Sequence, residues 1–256
     1  MKVVILAGGY GTRISEESYL KPKPMIGLGE KPILWHIMKI YSAYGYNDFI
    51  LCLGYKQHII KEFFSNYFLY NSDVTLDLVK NEMQVHGNYS EDWKVTLVDT
   101  GLETMTGGRI KRVQKYIGDE PFMVTYGDGV ADINISKLVE FHKSHGKIGT
   151  ITTVNAGQRF GVVKVEDDGS ISSFREKQEK DGSLINGGFM VMNPEIFKYI
   201  EGDTTIFEQE PLETISRLGQ LKAYRHEGFW HCMDTQRDKK ELETMWLSGE
   251  APWKIW

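Results

Sequence analysis

Three parts of the chain carry residue types and spacings suited to handling phosphate. The first, Leu6-Ala7-Gly8-Gly9-Tyr10-Gly11-Thr12-Arg13, follows directly on the apolar run Val3 to Ala7. Glycines there let the backbone turn sharply and bring N–H groups close to phosphate oxygens that a side chain would obstruct. Arg13 adds a planar fork of donors matched to phosphate. A tight strand exit also uses glycine for geometry alone, so the turn by itself fits either purpose. It is not a P-loop, because no Gly-Lys-Ser/Thr follows, and no glycine two residues beyond Thr12 completes a dinucleotide fingerprint. The second part is Lys21-Pro22-Lys23-Pro24-Met25, where prolines on both sides of Lys23 fix the local φ and present that lysine from a stiff segment. A lysine in a proline loop is by default solvated, but one this near a phosphate-cradling turn is better explained as a phosphate ligand. The third is a pair of aspartates after strand-like runs: Asp128 in Tyr126-Gly127-Asp128-Gly129, and Asp234 in Phe229-Trp230-His231-Cys232-Met233-Asp234-Thr235. Strand ends of open α/β sheets are where ligands collect. Aspartate after a strand also forms turns or caps the next helix, and Asp234 precedes a helix-like segment.

Taken together, Ala7-Gly8-Gly9 through Gly11-Thr12-Arg13, then Pro22-Lys23-Pro24-Met25, then Lys31-Pro32-Ile33, resemble the signature of the sugar-1-phosphate nucleotidyltransferase family. The similarity runs from residue 1 to the terminal Ala251-Pro252-Trp253-Lys254-Ile255-Trp256. The resemblance implies an enzyme that joins a sugar 1-phosphate to the α-phosphate of a nucleoside triphosphate and releases pyrophosphate. It assigns Asp128 and Asp234 to Mg²⁺, with Arg13 and Lys23 beside them as catalytic residues. Residues Leu6 to Arg13, Lys23, Thr104 and Arg109 fall at its nucleotide-binding positions, and Gly161, Glu176, Lys177, Asn186 and Gly188 at its sugar-phosphate positions. Such a reaction needs alignment and charge stabilisation and no general base, since the phosphate nucleophile is already ionised at neutral pH.

Other readings of these residues stay open. Glu176-Lys177 is also an ordinary exposed charge pair, and Gln178 stands where many relatives have proline. Asn186-Gly187-Gly188 is also a very good turn. Thr104 or Thr106 can cap a helix running through Ile110, Val113 and Ile117, with Arg109 solvated in its first turn. After the arginine, Ile14-Ser15-Glu16-Glu17-Ser18 departs from the leucine and proline usual in the broader family and resembles its cytidylyl branch. The substrates so implied are CTP and glucose 1-phosphate, and the product, CDP-glucose, would feed dideoxysugar synthesis for lipopolysaccharide O-antigen. Residue chemistry alone does not select cytosine.

The elements that must position these groups read as α/β. Val3 to Ala7 and Phe49 to Leu53 are short β-branched runs of the kind buried on both faces of a parallel sheet. Between them Pro32 opens, and Gly45 closes, a helix carrying Ile33, Ile37, Ile40 and Tyr44. Ile59, Ile60, Phe63 and Phe64 mark another helix, Phe122 to Thr125 a strand, and Ile135, Leu138, Val139 and His142 a further helix. The second half is richer in strands, at Ile148 to Val154, Gly161 to Val165, Ser170 to Phe174 and Gly188 to Met192. Helical spacing returns in Leu212, Ile215 and Leu218 and in Leu242, Met245 and Trp246. The expected fold is a doubly wound, mostly parallel, Rossmann-like mixed sheet with additional antiparallel strands in the second half. A single domain over 1–256 is expected, with residues 1–130 mainly for the nucleotide and 131–256 mainly for the sugar and the C-terminus.

Composition narrows the class. The 256 residues are 41% hydrophobic and 25% charged, as in ordinary globular proteins. A net charge of -5 argues against nucleic acid or an anionic membrane as partner, so any phosphate site must be built locally. Two cysteines, Cys52 and Cys232, are too few for a disulfide framework, and neither a signal-peptide core nor a bilayer-length run is present, which makes the cytoplasm the expected compartment. His142 and His145 can share a helix face, but with no third ligand a water-exposed helix end is the plainer expectation. The C-terminal tryptophans Trp246, Trp253 and Trp256 suit either packing onto the domain or contact in a homo-oligomer. An NAD-type oxidoreductase lacks its full glycine fingerprint here, and a non-catalytic sugar-nucleotide sensor is disfavoured by the joint presence of both aspartates, Arg13 and Lys23.

Overall fold

Alternation along the short core strands decides the layering. In Val3–Leu6, Val3 and Ile5 are buried on one side and Val4 on the other. The same split separates Phe49 and Leu51 from Ile50 and Cys52, and Met123 from Phe122 and Val124. A strand apolar on both faces must be covered on both. One cover is helix Ile33–Ser42 with the C-terminal Trp253; the other is helix Thr106–Arg112 with helix Glu210–Arg217. The computed structural model describes residues 1–155, 162–166, 168–175 and 184–256.

Val3–Leu6 pairs in parallel with Asp48–Leu53 on one side and Phe122–Tyr126 on the other, and Asp48–Leu53 pairs in parallel with Lys94–Asp99. Beyond Phe122–Tyr126 the sheet turns antiparallel through Ile185–Met192, which also takes Gly149–Val154 as an antiparallel partner. Val162–Val165 and Ile171–Arg175 extend that side, and Leu221–Arg225 adds in parallel to Gly149–Val154. This is the doubly wound mixed sheet, parallel at its centre with antiparallel additions from the second half. No helix among the described residues is long and apolar enough to cross a membrane.

Several local readings change. The pattern from Ile110 to Ile117 is two short helices, Thr106–Arg112 and Gln114–Ile117, joined at Val113. Asn186-Gly187-Gly188 is not a turn but lies inside the strand Ile185–Met192. Gly188 has φ +82 there, and a Cβ on it would lie 2.5 Å from the Tyr126 ring. An antiparallel ribbon, Ser72–Asp77 with Glu82–Asn88, forms a separate two-stranded sheet that the sequence reading did not foresee.

His142 and His145 are not a water-exposed pair. His142 is buried; its Nε2–H donates to Asn193 Oδ1 at 3.3 Å and its Nδ1 accepts from Thr150 Oγ1 at 2.9 Å. His145 donates to the same hydroxyl at 2.8 Å, so both rings serve to fasten helix Ile135–His145 to the sheet.

The C-terminal tryptophans pack internally around His36, which is fully buried in helix Ile33–Ser42. His36 Nε2–H donates to Leu28 O at 2.9 Å, and Nδ1 faces the indole N–H of Trp253 at 3.4 Å. An indole nitrogen can only donate, so the ring must stay neutral with Nδ1 as acceptor. Desolvation drives its pKa from 6.5 down to about 4. Because the unfolded chain takes up this proton first, stability is lost as pH falls from about 6.5 toward about 4, by about 2 kcal/mol at pH 5. Denaturant unfolding at pH 7 and pH 5 should therefore show a smaller acid-induced loss in His36→Gln than in the wild type; equal losses would exclude His36 as the acid-sensitive group.

Candidate active site

The glycine turn leaves the first strand between two neighbours and is fixed by both. Ala7 N–H donates to Cys52 O, Tyr55 N–H to Gly8 O and Gly127 N–H to Leu6 O, at 3.0, 3.0 and 3.1 Å. Gly8 is glycine because a Cβ would stand 2.1 Å from Arg109 Nη1 and 3.0 Å from Gly54 N. Gly11 takes φ +67 and opens a short 3-10 turn, Thr12–Ile14, that sets the direction of Arg13. Lys23 begins a second 3-10 turn, Lys23–Met25, entered through Pro22. Pro24 in that turn packs where a Cβ on Gly127 would be, 2.9 Å away, which seats Lys23 against the residue preceding Asp128.

Asp128 and Asp234 are joined by backbone. Gly129–Ala131 pairs antiparallel with Trp230–Cys232, with Gly129 opposite Cys232, and Met233 N–H donates to Asp128 O at 2.8 Å. Asp234 does not cap the helix that follows. Thr235 does, through a capping box with Asp238, whose carboxylate also receives Asp234 N–H. Asp234 is thereby free to aim inward, where it meets Lys23 Nζ and, at 2.5 Å, Arg13 Nη1; Asp128 meets the same Lys23 Nζ at 2.5 Å. Burial opposes the charge on Lys23, but the pull of Asp128 and hydrogen bonds to both carboxylates outweigh it and hold the ammonium above the ordinary lysine value. Burial likewise pushes Asp234 up, yet Lys23 and then Arg13 bring it below the ordinary aspartate value. Two hard oxygen ligands aimed at one point, now filled by an ammonium, form a donor set that suits a small divalent cation.

A cavity of about 420 Å³ opens beside this cluster, lined by residues 6–13, Lys23, Pro24, residues 102–106, Arg109 and residues 126–128. The geometry thus gathers Leu6 to Arg13, Lys23, Thr104, Arg109 and Asp128 around one space, with Asp234 at its edge through Lys23 and Arg13. Asn186 and Gly188 lie one step away, Asn186 Nδ2 donating to the Tyr126 hydroxyl at 3.3 Å. Gly161, Glu176 and Lys177 lie outside the described residues.

Comparison with known proteins shows the family and the fold. A family model described as nucleotidyl transferase matches residues 2–231. The chain is 55% identical to a glucose-1-phosphate cytidylyltransferase of Salmonella typhi and 48% identical to a probable glucose-1-phosphate cytidylyltransferase of Bacillus subtilis, each alignment covering 100% of both proteins. The chain belongs to the nucleotidyl transferase family. Among solved structures, HddC from Yersinia pseudotuberculosis superposes with a TM-score of 0.76 at 26% identity, covering 96% of this chain and 99% of that one. A UDP-glucose pyrophosphorylase complexed with UDP-glucose shares the fold, with a TM-score of 0.76 at 17% identity over 97% of this chain and 98% of that one.

Within this nucleotidyl transferase, Arg109 is not a solvated first-turn residue. It is buried, and its guanidinium donates to Leu53 O, Thr100 Oγ1, Gly101 O and Leu102 O at 3.2, 2.8, 2.8 and 3.1 Å. Those acceptors sit at the exits of two core strands, so Arg109 braces the floor on which the glycine turn rests. Neither Thr104 nor Thr106 caps the helix Thr106–Arg112; Met105 occupies the cap position without a side-chain bond, and Thr106 Oγ1 donates to Glu208 instead.

Sequence reasoning also missed three site contacts. Tyr10 OH donates to Glu103 across the cavity mouth, and Lys239 Nζ holds Glu17 at 2.5 Å behind the Arg13 turn. Tyr126 OH donates to Glu208 Oε1 at 2.7 Å, with burial and then Glu208 pushing that hydroxyl well above the ordinary phenol value. Tyr126 belongs to the Tyr126-Gly127-Asp128-Gly129 motif, whereas nothing local marks Glu208.

The brace predicts a contrast between adjacent glycines. A Cβ at Gly8 collides with the fixed Arg109 head, while one at Gly9 meets nothing within 4 Å. Gly8→Ala should cost about 1–3 kcal/mol of stability and Gly9→Ala within about 0.5 kcal/mol. Unfolding curves of the two variants that coincide would remove the brace from the account.

Proposed function

We propose that this chain is a glucose-1-phosphate cytidylyltransferase, joining CTP and α-D-glucose 1-phosphate into CDP-glucose with release of pyrophosphate. The observation that carries the reading is the convergence of Asp128 and Asp234, from opposite halves of the chain, on one cation position beside the glycine turn. Cytidine and glucose are chosen because two relatives aligned over their whole length bear that activity in their names. Asp128 and Asp234 would hold Mg²⁺, which when bound offsets repulsion between the two phosphates and stabilises charge at the α-phosphate.

The remaining work falls to the chain. Backbone N–H groups of residues 8–11 face the triphosphate, and Lys23 and Arg13 supply positive charge to its oxygens. Thr104 orients the nucleotide, with Arg109 supporting the same wall. A phosphate oxygen of the sugar phosphate bonds to the α-phosphorus while the bond to the β-phosphate oxygen breaks, and pyrophosphate leaves with that electron pair. Asn186 and Gly188 hold the sugar phosphate, as do Gly161, Glu176 and Lys177. The nucleotide sugar enters dideoxysugar synthesis for lipopolysaccharide O-antigen in the cytoplasm.

Pyrophosphate release from each nucleoside triphosphate with glucose 1-phosphate and Mg²⁺ tests the reading. CTP should be turned over fastest, and Asp128→Asn and Asp234→Asn should each lower kcat on the order of 10²-fold or more while the variants stay folded. Turnover that survives in either variant would count against the metal role, and preference for another triphosphate against the choice of base.

The proposed enzyme is a homo-oligomer. Its C-terminal tryptophans are taken up internally, whereas the ribbon exposes Leu76, Met83 and Val85 along its strands and Leu78 and Val79 at its tip, the last at 97% exposure. Contiguous exposed apolar side chains of this kind mark association surfaces. Light scattering should find an oligomer for the wild type and a smaller species for the double variant Leu78→Glu, Val79→Lys; a monomeric wild type would sink the proposal.

A further inference from the structure

Behind the cavity, one carboxylate connects the walls proposed to hold the two substrates. The segment from Gly202 to Glu208 is pressed onto the start of helix Thr106–Arg112. Gly107 N–H and Gly108 N–H donate to Thr205 O at 2.9 and 3.3 Å, and Met105 N–H donates to Asp203 O at 2.8 Å. The approach is so close that a Cβ on Gly107 would lie 2.7 Å from Thr205 O and one on Gly108 2.5 Å from Asp203 Cα. Glu208 is thereby delivered between Thr106 and Tyr126, both of which line the cavity.

The hydrogen bonds there run in one direction only. Phe207 N–H donates to Thr106 Oγ1 at 2.9 Å, which turns the Thr106 proton toward Glu208 Oε2 at 2.6 Å. Asn186 Nδ2 donates to the Tyr126 oxygen at 3.3 Å, which turns the Tyr126 proton toward Glu208 Oε1 at 2.7 Å. Asn186 Oδ1 is itself held by Gly188 N–H at 3.0 Å. An ionised carboxylate only accepts, with two oxygens, and so satisfies both hydroxyls at once.

We infer that Glu208 is a positioning residue for the transfer, holding Thr106 on the nucleotide side and Tyr126 with Asn186 on the sugar side in one register so that the two phosphates meet in line. The inference rests on the transferase reading of the site. Glu208 is not part of the cavity lining and acts through the two hydroxyls. Misplacement of reacting groups by a fraction of a bond length is costly in rate, so the effect belongs in kcat more than in binding.

Steady-state kinetics with the triphosphate the wild type uses best, together with calorimetric binding of that nucleotide alone, provide the test. Glu208→Ala should lower kcat on the order of 10²-fold while nucleotide affinity changes less than about threefold, and Glu208→Gln, which keeps one acceptor and the size, should recover about tenfold of the loss. Thr106→Val and Tyr126→Phe should each lower kcat, and the double variant should fall no further than the poorer single variant, because both cut the same chain. That pair decides the matter even if Glu208→Ala fails to fold. An unchanged kcat with only a lower Tm in Glu208→Ala, or losses that multiply in the Thr106→Val, Tyr126→Phe protein, would overturn the inference. A wild type inactive with every triphosphate would overturn the transferase reading and this inference with it.

Discussion

Two carboxylates cannot be held side by side in a half-buried place without positive charge between them, and the site is organised around that constraint. Asp128 and Asp234 are brought together by backbone pairing between Gly129–Ala131 and Trp230–Cys232, not by mutual attraction. Lys23 answers both, from 105 residues before one and 211 before the other. Its turn is packed on Gly127 through Pro24, so the contact that places the ammonium also places the strand exit carrying Asp128. Fold and site share one joint: sheet geometry sets the anions, a proline-stiffened turn sets the cation, and each offsets the charge of the other.

Supporting contacts extend that joint outward. Arg13 closes the exposed side of Asp234, and its turn is followed by Glu17, which Lys239 ties to helix Gln236–Leu247. That helix begins with the capping box that frees Asp234 from capping duty. Its far end carries Trp246 against His36. The C-terminal segment is therefore no appendage, since its packing fixes the element from which the second aspartate projects.

What could be read from the sequence was whatever is encoded locally. Apolar runs such as Val3–Leu6 and Asp48–Leu53 reveal buried parallel strands because two-sided burial leaves no room for alternation, and the glycine turn and the prolines around Lys23 carry their geometry with them. The aspartates stand out as strand-end residues, but their assignment to one cation comes only through resemblance, because the pairing that joins them spans the chain. Resemblance gives Arg109 as a nucleotide contact but does not reveal it as a brace, since its partners are three carbonyls and the Thr100 hydroxyl, whose positions only the folded strands define. Asn186-Gly187-Gly188 looked like a turn because glycine marks turns and close approaches alike, and the Tyr126 ring that demands the close approach is distant in sequence. Glu208 has no local signature because its placement depends on a packed loop, whereas the ribbon carries an alternation of apolar residues that usually signals a buried face but is exposed here.

Under the proposed function, cations already engaged by carboxylates would have to serve an anion site. Lys23 and Arg13 contribute +2 and Asp128 and Asp234 contribute -2, so the cluster is formally neutral within a chain of net charge -5. Left so, it has little Coulombic pull on a triphosphate or a sugar phosphate, and the N–H groups of the glycine turn would act alone. In the proposed reaction Asp128 and Asp234 would hold a divalent ion, whose two positive charges would leave Lys23 and Arg13 less engaged by the carboxylates. Lys23 and Arg13 would then be available to substrate phosphates. On that reading the acidic chain would build its phosphate site locally, with the same two aspartates that neutralise Lys23 and Arg13 holding the cation that frees them.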